Sequence, residues 1–171
     1  MLPDQVLSVD IHVPVERVWH EITKTGAIQR AFNNCVMEGQ LKPGMKLRFY
    51  SPSRKRVFVI GEVVEVVPPS KFAHTWKLTM GPDDFFTLVT WELSAISGGT
   101  RVKLTHSRWL DTSKSYKNVG TTWGSMLKLL KQDLETGDID GGTKFKYMMF
   151  GALEFMLPKS TTVDAVSKQG Y

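Results

Sequence analysis

A chain of 171 residues with 42% hydrophobic and 23% charged residues has the length and balance of one globular domain, which excludes a chain too polar to bury a core. Its single cysteine excludes an intrachain disulfide and any multi-cysteine metal site. The formal net charge of +5 is scattered along the chain and not gathered into a block, so it reads as a solvated basic surface, with no nucleic acid as partner. No basic stretch followed by an apolar run opens the sequence, so a secretory signal is not expected and the expected location is cytoplasmic.

Leu7, Val9, Ile11 and Val13 alternate with polar residues, the period of a half-buried strand. Pro14 ends that strand and suits the first turn of a helix, in which Val15, Val18, Trp19 and Ile22 share one face. Gly26 closes this helix, and residues 27–32 are expected to form a second short one. From Cys35 to Ser107 the pattern is of strands and tight turns: 35–41, 45–51, 57–67, 71–79, 85–96 and 100–107. Lys42-Pro43-Gly44, residues 51–56, Pro68-Pro69 and Ser97-Gly98-Gly99 supply the turns. Such a series implies an antiparallel meander.

Residues 116–136 form the principal helix, with Val119, Trp123, Met126, Leu127, Leu130 and Leu134 on one stripe and Gly137 as its stop. Gly120 and Gly124 share a face of it; each costs about 1 kcal/mol against alanine, which implies close approach of the sheet or space for a ligand. Beyond Gly142, the residues Phe145, Met148, Met149, Ala152, Leu153 and Met156 fit a second apolar stripe, extended by Tyr147, Phe150 and Leu157. This segment is shorter than the roughly 20 apolar residues a bilayer span needs. Its readings are packing across a cavity mouth, a homodimer interface through 145–157, or a surface anchor helped by Lys144, Lys146 and Lys159, with the first two favoured and a membrane partner not expected.

Val13-Pro14-Val15-Glu16-Arg17-Val18-Trp19 resembles the first-helix signature of the START and pollen-allergen-like superfamily. Leu41-Lys42-Pro43-Gly44 resembles its first hairpin, and Gly98-Gly99-Thr100-Arg101-Val102 with Leu104-Thr105-His106 its last. Trp123-Gly124-Ser125-Met126-Leu127 through Leu134-Glu135-Thr136-Gly137 is similar to the long-helix signature of the branch named after the activator of heat-shock-protein-90 ATPase. The resemblance implies an α+β helix-grip fold: a curved antiparallel sheet wrapped around a long C-terminal helix, with two short helices after the first strand. It assigns 1–141 to that domain and leaves 142–171 as an apolar extension packed on the domain or on a partner.

Strand alternation turns Phe72, His74, Trp76 and Leu78 to one face, as it does Val89, Trp91 and Leu93, and Val102, Leu104 and His106. Phe49, His74, Trp76, Trp91, His106, Trp123 and Leu127 are therefore the candidate ligand-binding residues. The two histidines either orient a ligand's polar end, act as acid and base, or satisfy their hydrogen bonds locally; the tryptophans either stack on a ligand or fill a core. No nucleophile elbow, phosphate loop, dinucleotide fingerprint or metal-ligand cluster is present, so no catalytic residue, cofactor or metal is assigned. The expected function is non-catalytic binding of a small hydrophobic molecule. The resemblance also implies two alternatives, a polyketide cyclase or aromatase-like enzyme and a chaperone accessory protein.

Overall fold

The computed structural model describes residues 1–171. Eight strands form one antiparallel sheet: β1 (Gln5–Ile11), β2 (Ile28–Gln29), β3 (Cys35–Glu38), β4 (Lys46–Tyr50), β5 (Val57–Val67), β6 (Lys71–Leu78), β7 (Thr87–Ile96) and β8 (Gly99–Ser107). Their spatial order is β1-β8-β7-β6-β5-β4-β3-β2, so the meander runs across the sheet and closes with its last strand beside its first. Four helices accompany them: α1 (Val15–Thr23), α2 (Tyr116–Thr136), α3 (Gly141–Ala152) and α4 (Val163–Ser167).

The inward rows of β6, β7 and β8 meet the α2 stripe in one core. Phe72, Val89, Trp91, Leu93, Val102 and Leu104 pack there with Val119, Trp123, Leu127, Leu130 and Leu134. Covering the concave face with one long helix is the helix-grip arrangement, and burying these apolar side chains is its main stabilising term. Gly137, at φ 79°, ends α2 in the left-handed conformation that glycine adopts without strain. Both helix glycines lie against β1: a Cβ on Gly120 would stand 2.9 Å from Gln5 Nε2, and one on Gly124 3.8 Å from Leu7 Cδ2. Near its C-terminus, α2 is tied to the end of β1 through Glu135 Oε1, which accepts from the His12 N–H at 2.8 Å and from Lys131 Nζ at 2.9 Å.

The second short helix expected at 27–32 does not form. Ile28 and Gln29 pair with Val36 and Cys35 as a minimal hairpin. Its turn places Asn33 and Asn34 at φ 54° and 56°, a conformation asparagine tolerates and a helix excludes. Glu21 of α1 is buried beside Lys24, whose ammonium lies 2.7 Å from its carboxylate.

Strand β5 departs from simple alternation. Tyr50 pairs with Val57 and Phe49 with Val59, so Phe58 is an extra residue opposite β4. This bulge lets Phe58 and Val59 both face the sheet's concave side, while Val57 and Ile60 pack against Val166 of α4 on the other. The unbroken apolar run of residues 57–60 reflects burial from both directions.

Candidate functional site

Sheet and α2 do not close completely. Between them lies a cavity of about 530 Å3, in the range of small-molecule sites. Phe49 of β4, Phe58 and Val59 of β5, Phe72, His74 and Trp76 of β6 and Trp91 of β7 wall its sheet side. Val119, Trp123 and Met126 of α2 form the opposite wall, and Gln29, Phe32 and Cys35 the side near α1. Large, stiff aromatic rings pack edge to face around the space: Phe32 on Trp91 at 5.6 Å and Trp91 on Trp123 at 5.8 Å between centroids.

Of the seven candidate ligand-binding residues, Phe49, His74, Trp76, Trp91 and Trp123 line this cavity. His106 and Leu127 do not: both are buried in the packed core beside it. His106 faces inward as alternation requires, but its ring is fully engaged. Trp123 Nε1–H donates to His106 Nδ1 at 2.8 Å, so Nε2 carries the proton and donates to Thr87 Oγ1 at 2.6 Å. Thr87 in turn donates to the Trp76 carbonyl at 2.9 Å. Burial, with a smaller contribution from His74, pushes the His106 pKa down to about 3, so this chain of hydrogen bonds is neutral.

His74 stands between Phe49 and Phe72, ring centroids 5.5 and 5.0 Å away. Burial lowers its pKa to about 4 against the opposing hydrogen bond to Thr75. A neutral imidazole so far below the ordinary range is a poor proton carrier near pH 7. Cys35, also in the lining, is held as an inert thiol, its pKa pushed up to about 12 by burial. No three His, Cys, Asp or Glu side chains gather where they could share a metal ion.

Helix α3 crosses the cavity mouth. Tyr147 and Phe150 reach the lining; the Tyr147 hydroxyl donates to the Arg30 carbonyl at 2.8 Å, and Phe150 meets Phe58 edge-on at 5.7 Å. Beyond it, Glu154 accepts from Ser51 at 2.5 Å and from Ser53 at 2.7 Å. The rest of the apolar stripe is not buried: Phe145 is 60% exposed, Met148 61%, Phe155 75% and Met156 69%. One side of the segment closes the cavity, and the other faces outward.

Asp83 holds the turn that leads into α2, on the other side of the mouth. It accepts from Ser113 Oγ at 2.7 Å, the Lys114 N–H at 2.9 Å and the Ser115 N–H at 3.1 Å, and also from the Ser115 hydroxyl. Burial opposes ionisation there, yet these donors together hold its pKa down at about 2. Gln29 was not among the residues singled out by sequence, because one polar residue in a short turn-like stretch carries no periodic signal.

The sequence profile of the family described as activator of Hsp90 ATPase homolog 1-like protein matches residues 12–135. The chain belongs to that family. The match runs from just after β1 through α1 and β2–β8 to α2, and leaves α3 and α4 outside it. Among solved structures, the Aha1 dimer from Colwellia psychrerythraea is similar at 19% identity and a TM-score of 0.66, over 81% of this chain and 100% of that one. An HSP90 activator from Plasmodium falciparum is similar at 20% identity and a TM-score of 0.62, over 78% and 96%. CalU16 from Micromonospora echinospora is similar at 18% identity and a TM-score of 0.62, over 88% and 87%. At these identities the likeness shows the shared fold. No curated protein matches the chain. No helix is long and apolar enough to cross a membrane.

Proposed function

We propose that this member of the family binds a small hydrophobic molecule between the sheet and α2 and does not chemically alter it. The observation that carries this reading is the cavity of about 530 Å3 walled by Phe49, Phe72, Trp76, Trp91 and Trp123. Apolar walls with few polar groups are the make-up of a ligand pocket. His74 and His106, the groups an enzyme would need for proton transfer, are both held neutral by burial, and His106 has no free nitrogen. This favours binding over the cyclase or aromatase alternative.

Titration with the uncharged fluorophore N-phenyl-1-naphthylamine tests the proposal. Saturable binding at one equivalent is expected, weakened in Met126→Trp, which adds bulk from the half-buried rim of the lining. Failure of the dye to bind, with no small molecule co-purifying in native mass spectrometry, overturns it.

Family membership favours a second reading, an accessory role at an Hsp90 chaperone. Pull-down with purified chaperone tests it; no retention at micromolar concentrations rules it out.

A further inference from the structure

The cavity wall carries hydrogen-bond acceptors that the protein leaves unanswered. His74 Nδ1 lies 2.9 Å from the Thr75 carbonyl oxygen. A carbonyl only accepts, so Nδ1 must carry the ring proton, and Nε2 of the neutral ring presents a lone pair. Nothing else in the protein bonds to that ring, which stands in the lining between Phe49 and Phe72.

Gln29 repeats the pattern. Its Nε2 lies 2.9 Å from the Glu21 carbonyl and 3.3 Å from that of Ile22, which fixes the amide nitrogen toward α1 and the oxygen away from it. Gln29 Oε1 is buried with no partner, although the residue belongs to the lining. Native proteins seldom leave such groups unpaired, because a buried polar atom loses its hydration without recovering a bond. The lining also holds Trp76 and Trp91, each with one indole N–H to give.

Building on the proposed binding of a hydrophobic molecule, we infer that the ligand is a largely apolar molecule bearing a hydroxyl group, which donates its proton to His74 Nε2. A hydroxyl both donates and accepts, so it answers the imidazole while remaining open to an indole N–H. An ether answers only the indoles. A cation would be stripped of water in a cavity with no carboxylate in its lining.

The test compares 2-naphthol with 2-methoxynaphthalene by calorimetry. Hydrophobicity alone makes the ether bind more tightly. The inference reverses that order, with 2-naphthol favoured about tenfold, the worth of one hydrogen bond to a buried acceptor. The ratio falls toward one in His74→Phe. In wild-type protein labelled with nitrogen-15, the His74 Nε2 resonance moves on adding 2-naphthol and stays in place with the ether, a readout that does not depend on the variant folding. Equal affinities, or tighter binding of the ether, overturn the hydroxyl assignment and leave hydrophobic binding standing. A stationary Nε2 resonance overturns the role of His74. If neither compound binds, hydrophobic binding fails and the inference fails with it.

Discussion

The indole of Trp123, on the long helix, donates its proton to Nδ1 of His106, on the last strand, at 2.8 Å. Both residues are buried, so this bond joins the two halves of the grip without water. Trp123→Phe leaves the imidazole acceptor unpaired and is expected to cost about 1–3 kcal/mol beyond the loss of packing. Trp91→Phe removes the same ring from the neighbouring wall and serves as the comparison. Urea denaturation of both variants measures the difference, and equal losses would mean that the bond contributes nothing.

Acid should weaken the fold earlier than its carboxylates alone would allow. His74 and His106 have folded pKa values of about 4 and about 3, below the unfolded value near 6.5. Below about pH 6.5 the unfolded chain therefore takes up protons that the folded chain refuses. Stability is complete above that pH and falls as pH drops toward 4, at about 1.4 kcal/mol per pH unit for each histidine. Asp83 and Glu135, both held near pKa 2, add their loss only below about pH 4. Melting temperatures from pH 7.5 to 4.5 check this, with a shallower slope expected in His74→Phe. A flat profile between pH 7 and 5 contradicts it.

The two glycines of α2 should respond in opposite ways. Gly124→Ala meets only Leu7 at ordinary contact distance, so the gain in helix propensity, about 1 kcal/mol, appears as added stability. Gly120→Ala drives a methyl against the Gln5 amide, which donates to the Tyr116 carbonyl at 2.6 Å, and the gain is offset or lost. Denaturation midpoints of the single variants decide; stabilisation by both would show that Gln5 moves aside freely.

Asp83→Ala removes four hydrogen bonds from the turn before α2 and should cost about 1–3 kcal/mol, because the donors lose a charged acceptor. Asp84→Ala, whose partner is the Lys77 ammonium in an exposed pair, should cost less than about 1 kcal/mol. Chemical denaturation of the pair checks the ranking.

The architecture was legible where patterns are long. The β-branched run of 57–67 and the stripe of 116–136 coincide with β5 and α2, because a proline pair and a left-handed glycine leave no freedom at their ends. Local reading failed at 27–32, where weak helical spacing competes with strand pairing to Val36 and two asparagines at positive φ. Alternation correctly aimed His106 inward but says nothing of what an inward group meets, and Trp123 and Thr87 absorb it. The bulge at Phe58 and the orphaned Gln29 oxygen depend on register and on distant carbonyls, which no periodicity encodes. Apolar spacing located the stripe at 145–157 without revealing that half of it faces outward.

Of the five tryptophans, Trp76, Trp91 and Trp123 border the cavity, and Trp91 and Trp123 lie close enough for their excited states to couple. The protein thus contains its own optical sensor. Any molecule entering the cavity perturbs the emission and near-ultraviolet dichroism of these indoles, even if it is colourless. Occupancy of the cavity by any added compound can therefore be followed in the purified, unlabelled protein.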